Sequence, residues 1–139
     1  MPLEQTDMAV CAPGQGVRQI AIISEHASPL ASPGSIDCGG QNVYVACLAR
    51  ELALAGYLVD IFTRRDAFGQ KQVVHWGDNI RVIHVPAGPA HYVPKEQMLP
   101  YMDTFSRFVT RFARRQPQLY DIVHANFFMS GMVAQHLKE

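Results

Sequence analysis

Two adjacent glycines, Gly39 and Gly40, followed by Gln41 and Asn42, stand directly ahead of a run with helical spacing. A helix N-terminus carries unpaired N–H groups and the positive end of the helix dipole, and so attracts anions. Residues without a Cβ let a phosphate reach that backbone without steric conflict. The chemistry on offer is recognition of a phosphate, or stabilisation of negative charge as it develops there. Turns use glycine too, so the pair does not decide the matter alone. Gln41 and Asn42 either cap the helix or hydrogen-bond the hydroxyls of a ligand.

Two further places hold residues of the right type. Lys95 opens a later helical segment, where the dipole disfavours a cation. A clamp on a phosphate or sugar phosphate would account for it, as would a plain surface lysine. In HANFFMSG, residues 124–131, Asn126 and the pair Phe127-Phe128 leave the end of a strand. An aromatic ring there plugs the core or stacks on a sugar.

The elements that must position these residues follow from periodicity. RQIAIIS (18–24) is an apolar run suited to a strand buried on both faces. The Ser-, Pro- and Gly-rich EHASPLASPGSIDC is a long loop. A helix is expected over 40–55, with Val45, Leu48, Leu52 and Ala55 on one face, Arg50 opposite, and Gly56 ending it. YLVDIFT (57–63) gives a second strand, VVHW a minor one, and IRVIHVPAG a third main strand after a Gly-Asp-Asn turn. Met98, Met102, Phe105, Val109 and Phe112 form an apolar seam for a helix over 95–116, with Arg107, Arg111, Arg114 and Arg115 on its solvated side. YDIVHANF is the last strand, and Ser130-Gly131 lead a final helix. This order predicts an α/β fold: a Rossmann-like, doubly wound parallel sheet with right-handed crossovers. The loops 25–42, 86–95 and 124–131 then gather at the carboxyl edge of the strands, where such sheets bind ligands.

Composition narrows the partners. In 139 residues, 12 basic side chains balance 12 acidic ones, and 48% are hydrophobic. That neutrality argues against nucleic acid or an anionic membrane as the main partner, and no apolar run is long enough to span a bilayer. Residues 1–17 read as a disordered leader without the features of a secretory signal. Cys11, Cys38 and Cys47 form no CxxC pair, which fits reduced thiols in a cytoplasmic protein. The six histidines show no metal-binding spacing.

Taken together, GGQNVYVACLARELALAGYLVDIFTRRD, HVPAGP...VPKEQ and DIVHANFFMSG resemble the N-terminal half of a family 4 retaining glycosyltransferase. The branch is that of sucrose synthase, sucrose-phosphate synthase and the inositol-phosphate glycosyltransferases. The resemblance covers residues 18–139 and implies half of a GT-B fold, in which two Rossmann-like domains face each other across a cleft. It implies a nucleotide-sugar donor of the UDP- or ADP-glucose type, a sugar or sugar-phosphate acceptor, and no metal or other cofactor. By the same resemblance, the N–H groups of Gly39 and Gly40 would stabilise charge on the leaving donor phosphate. Gln41 and Asn42 would meet acceptor hydroxyls, Lys95 would pair with an acceptor phosphate, and Asn126 and Phe127 would line the same cleft. In the inositol-phosphate branch a tyrosine stands where Phe127 is. Its loss here counts against a phosphorylated acceptor and leaves sucrose-synthase-like chemistry open.

The remaining strands and the donor domain would lie past Glu139, so 18–139 is expected to be a partial domain, inactive by itself and prone to self-association through bare edges. Two other readings stand beside this one. A non-catalytic binding module could share the fold. A nicotinamide-dependent dehydrogenase would need Gly-x-Gly-x-x-Gly in a tight turn and an acid ending the second strand; here about fourteen residues intervene and the strand ends in Thr63-Arg64-Arg65.

Overall fold

Strand β1 (Gln19–Ile23) lies inside the sheet, paired on both sides, and its side chains supply both cores. Ile20 and Ile22 point to one face, where they meet Val45 and Ala49 of helix α1 (Gly40–Leu54). Ala21 and Ile23 point to the other, against Met102, Phe105 and Val109 of helix α2 (Met102–Arg114) and Met129 and Val133 of helix α3 (Phe128–Leu137). This alternation is the period-2 geometry of a strand covered on both sides. The computed structural model describes residues 16, 18–31 and 39–138; the leader and much of the first long loop, including Cys11 and Cys38, lie outside the described residues.

The sheet has five strands in the order β3-β4-β2-β1-β5. Strands β2 (Leu58–Arg64), β4 (Ile80–Val85) and β5 (Ile122–Ala125) run parallel to β1 or to one another, with Ile22 opposite both Ile61 and His124. Strand β3 (Val73–His75) departs from the all-parallel expectation. It is an antiparallel edge strand on β4, folded back through a turn with positive φ at Gly77 and Asn79. A connection this short permits only a hairpin. The fold is a Rossmann-like α/β sheet with helices on both faces.

Two helix boundaries differ from the sequence expectation. The apolar seam of α2 is as read, with Met98, Met102, Phe105 and Val109 buried and Phe112 packed edge-on to Phe62. The α-helix itself starts only at Met102, after two short 3-10 turns over Lys95–Gln97 and Leu99–Tyr101. Pro100 is the reason: it has no N–H to donate and its ring would strike the carbonyl four residues back. Helix α3 starts two residues earlier than the Ser-Gly pair suggested, at Phe128, with Phe127 in an extended conformation before it. Ser130 is therefore inside the helix and fully buried. In α1, Ala55 is an exposed C-cap and leaves the buried face to Val45 and Ala49.

Candidate functional site

Strand β1 feeds α1 and then β2 on one side, while β5 returns to pair with β1 on the other. Loops leaving β1 and β5 must diverge at that reversal, which opens a crevice at the carboxyl edge. A cleft of about 300 Å³ occupies it, lined by His26 and Ala27 after β1, residues Gly39 to Asn42, Lys95 and Phe127. The three loops singled out from the sequence thus supply one surface.

Neither Gly39 nor Gly40 is a glycine for the usual reasons. Gly39 has φ −130° and ψ −161°, an extended conformation open to any residue, and Gly40 is helical. A Cβ built on either would meet nothing within 4 Å among the described residues. Gly88 makes the contrast: φ is +79° and a Cβ would lie 2.8 Å from the Tyr101 ring. Gly39 and Gly40 leave open space in the cleft instead.

The amides divide their roles. The Gly39 N–H donates to Asn42 Oδ1 at 3.1 Å, the reach-back half of a capping box. Gly40 and Gln41 hold the first two helical positions, where an α-helix supplies no acceptor, and neither N–H meets another partner among the described residues. Among the described residues, the open donors at this terminus are therefore Gly40 and Gln41, while the expected Gly39 amide is engaged by Asn42.

Three predicted polar side chains behave differently from one another. Gln41 donates through Nε2 to Ser24 Oγ at 3.4 Å, and its Oε1 is buried without a partner. Among the described residues this buried acceptor in the cleft wall is left open to a donor. Asn42 borders the cleft but is 6% exposed, and its Nδ2 donates to the Ser28 carbonyl at 2.8 Å. One lone pair and one N–H of its amide are thus committed to capping α1 and ordering the loop after β1. Asn126 does not line the cleft. Its Nδ2 donates to the Ile23 carbonyl at 3.2 Å and its Oδ1 faces His124 Nε2 at 3.1 Å, so it ties the ends of β1 and β5 together.

Lys95 lies on the first 3-10 turn, exposed and without an ion pair among the described residues. A three-residue turn has little dipole, so the dipole argument for this lysine gives way to its place beside the cleft. What holds its loop there is Arg64, which the sequence reading did not single out. This guanidinium is 3% exposed and donates to the carbonyls of Arg65, Ala87, Pro89 and His91 at 2.6 to 3.4 Å. Burial pushes its pKa down, and Asp66 offsets part of that effect.

Behind the cleft lies a second group missed from sequence. Glu25 is 1% exposed. Its carboxylate accepts from His26 Nδ1 at 3.1 Å and from the Ser130 hydroxyl. Burial alone would push this carboxyl up; the hydrogen bonds from His26 and Ser130 outweigh it and hold the pKa below the ordinary glutamate value. The His26 ring packs on Phe127, centroids 5.2 Å apart. The signal available in the sequence was an acid and a histidine immediately after a fully apolar strand.

Larger clefts elsewhere have plainer explanations. One of about 390 Å³ lies at the amino edge, where Arg81 makes a bidentate pair with Asp60 at 2.7 and 2.6 Å and Tyr120 donates to the same carboxylate. Another, about 400 Å³, runs between α1 and the β3–β4 turn, where Arg50 stacks 4.6 Å above Trp76. Both lie away from the reversal.

Residues 39–139 match the family model described as a glycosyl transferase 4-like domain. The D-inositol 3-phosphate glycosyltransferase of Corynebacterium glutamicum is 39% identical over 121 residues, covering 87% of this chain and 29% of that protein. The enzyme of the same name from Corynebacterium aurimucosum is 42% identical over 121 residues, with 87% and 29% covered. Among solved structures, sucrose-phosphate synthase from Thermosynechococcus elongatus aligns with a TM-score of 0.80 at 34% identity, covering 87% of this chain and 30% of that one. The chain spans less than a third of the length of the relatives it matches.

Proposed function

We propose a function from the premise that this chain belongs to the glycosyl transferase 4-like family. It is the acceptor-side part of a retaining glycosyltransferase that moves a hexose from a nucleotide-sugar to a sugar or sugar phosphate. A second Rossmann-like domain, within the part of the relatives that this chain does not span, would carry the donor nucleotide. Family membership leaves the dehydrogenase reading without support.

The observation that carries this reading is the pair Gly39 and Gly40, required among the described residues by neither backbone conformation nor packing, beside a cleft whose lysine has no ion pair among those residues. In the reaction, the Gly40 and Gln41 N–H groups would face negative charge growing on the leaving phosphate. Donors already in place cost no reorganisation when that charge develops. Lys95 would hold an anionic group of the acceptor, and Gln41 Oε1 would accept a hydrogen bond from a hydroxyl. Phe127, half exposed, offers a ring face to a sugar. It carries no hydroxyl, so anion recognition rests on Lys95 and the amides. A cytoplasmic setting suits the exposed free thiol of Cys47, and no helix among the described residues is long and apolar enough to cross a membrane.

Transfer by a two-domain polypeptide containing this chain tests the reading, with UDP- or ADP-glucose as donor and fructose, fructose 6-phosphate or D-inositol 3-phosphate as acceptor. Gly40→Leu fills the open space and should abolish transfer while the melting temperature stays within a few degrees, because leucine suits a helix better than glycine. Unchanged turnover in that variant would remove the assignment of the loop. A two-domain protein that binds these sugars yet transfers none would favour the non-catalytic module.

A further inference from the structure

Glu25 is a buried carboxylate with no lysine or arginine in contact among the described residues. Such a charge is costly unless hydrogen bonds replace its water. A tie between the end of β1 and α3 needs no ionised group, since the Ser130 hydroxyl could bond to any acceptor. The arrangement on the other oxygen is more specific. His26 is nine-tenths covered, with side-chain exposure of 9%, and its Nδ1 is committed to Glu25. Its ring is held on a second side by Phe127. Nε2 meets no partner among the described residues, and the residue borders the cleft.

An ionised carboxylate only accepts hydrogen bonds, so the proton of a neutral His26 must sit on Nδ1. Nε2 is then a bare acceptor. Its neighbours in the cleft are mostly donors: the Gly40 and Gln41 amides and Lys95. We propose that Glu25 is a positioning residue that locks His26 in the Nδ1–H tautomer, so that Nε2 accepts a hydrogen bond from one acceptor hydroxyl and selects for its presence. This rests on the reading of the cleft as the acceptor site and deepens it. Donors take the anionic group of the ligand, and Nε2 takes a hydroxyl next to it. A polyol phosphate has both. A site built to bond a hydroxyl discriminates strongly against the analogue that lacks it, because the buried acceptor is left unpaired.

The test uses the 139-residue chain, uniformly labelled with nitrogen-15. Long-range proton–nitrogen correlations at pH 8 should give His26 the Nδ1–H pattern. In Glu25→Gln the side chain can donate as well as accept, and the Nε2–H form should appear. D-inositol 3-phosphate is the probe: it should move the Nε2 resonance in the wild type and bind about tenfold more weakly to Glu25→Gln. Ser130→Ala removes the other hydrogen bond to the carboxylate but should keep both the tautomer and, within about threefold, the affinity. Equal losses in Glu25→Gln and Ser130→Ala would mean that Glu25 merely braces the fold, and would overturn the proposal. So would a wild-type His26 protonated on Nε2, a result that needs no variant and stands even if Glu25→Gln fails to fold. A probe that shifts the Gly40 and Gln41 amides but leaves Nε2 unmoved would also overturn it. If the probe shifts nothing in the wild-type cleft, the acceptor-site reading fails, and the tautomer still decides whether Glu25 controls His26.

Discussion

A glycine is held in place by its φ angle, by a neighbour, or by something outside the chain. Gly56, at φ +94°, belongs to the first kind and Gly88 to the first two; Gly39 and Gly40 show neither constraint among the described residues, and their place in the third kind is what the proposed function supplies. Lys95 is the cationic member of the same cleft, and its substitution should separate binding from folding. Lys95→Met is expected to weaken a phosphate-bearing sugar by tenfold or more, since a charge-assisted hydrogen bond contributes about 1.5–3 kcal/mol. The unfolding midpoint should not move, and the loss should shrink as salt is raised. Calorimetric titration at two ionic strengths checks this; equal affinity in the variant would remove Lys95 from the site. The glycine pair, Gln41, Lys95 and Phe127 were legible in the sequence because residue type and loop order suffice to bring them to one edge. Asn42 caps α1, one of the two roles its type and place allow, while its bond to Ser28 and that of Asn126 to Ile23 were not legible, because those partners lie 14 and 103 positions away. The pairing of Glu25 with Ser130 was not legible for the same reason, the two being 105 positions apart.

Among the elements, the strands and α1 follow in place and order from periodicity, with strand ends two or three residues shorter at β4 and β5, since a buried strand or an amphipathic helix announces its own period. The start of α2 does not, because the apolar seam continues through Met98 while Pro100 prevents the α-helical backbone beneath it. Lys95 is therefore carried by a loop, and Arg64 is what fixes that loop. Arg64→Met should cost on the order of 3 kcal/mol, by leaving inward carbonyls without donors. It should also speed amide exchange across 86–95 and weaken sugar-phosphate binding, although Arg64 is not in the cleft. Unchanged exchange in that loop would refute its role. The Asp60–Arg81–Tyr120 cluster is the control at the opposite edge. Burial and the Asp60 carboxylate both push the Tyr120 pKa up, which keeps its hydroxyl protonated and donating. Asp60→Asn should cost about 1–3 kcal/mol in urea unfolding and leave ligand affinity as it was.

For the whole molecule, one sheet serves two cores and leaves a single reversal between β1 and β5, at which the cleft forms. Stability and site meet at Glu25. Its pKa is lower in the folded chain than in the unfolded one, so the unfolded state binds the proton more tightly. The contribution of Glu25 is thus complete above the ordinary glutamate range near pH 4.3 and is lost as pH falls through the depressed folded value. Urea midpoints measured from pH 7 to pH 3 should fall less steeply in Glu25→Gln than in the wild type; parallel curves would contradict this. The central claim is that the Gly40–Gln41 terminus takes the anionic part of a sugar ligand, and amide resonances report on it directly. On titration with glucose 1-phosphate, the amide signals of residues 40 and 41 should shift saturably in the wild type and stay still in Gly40→Leu. Shifts confined to the arginines of α2, with those two amides unmoved, would contradict the account.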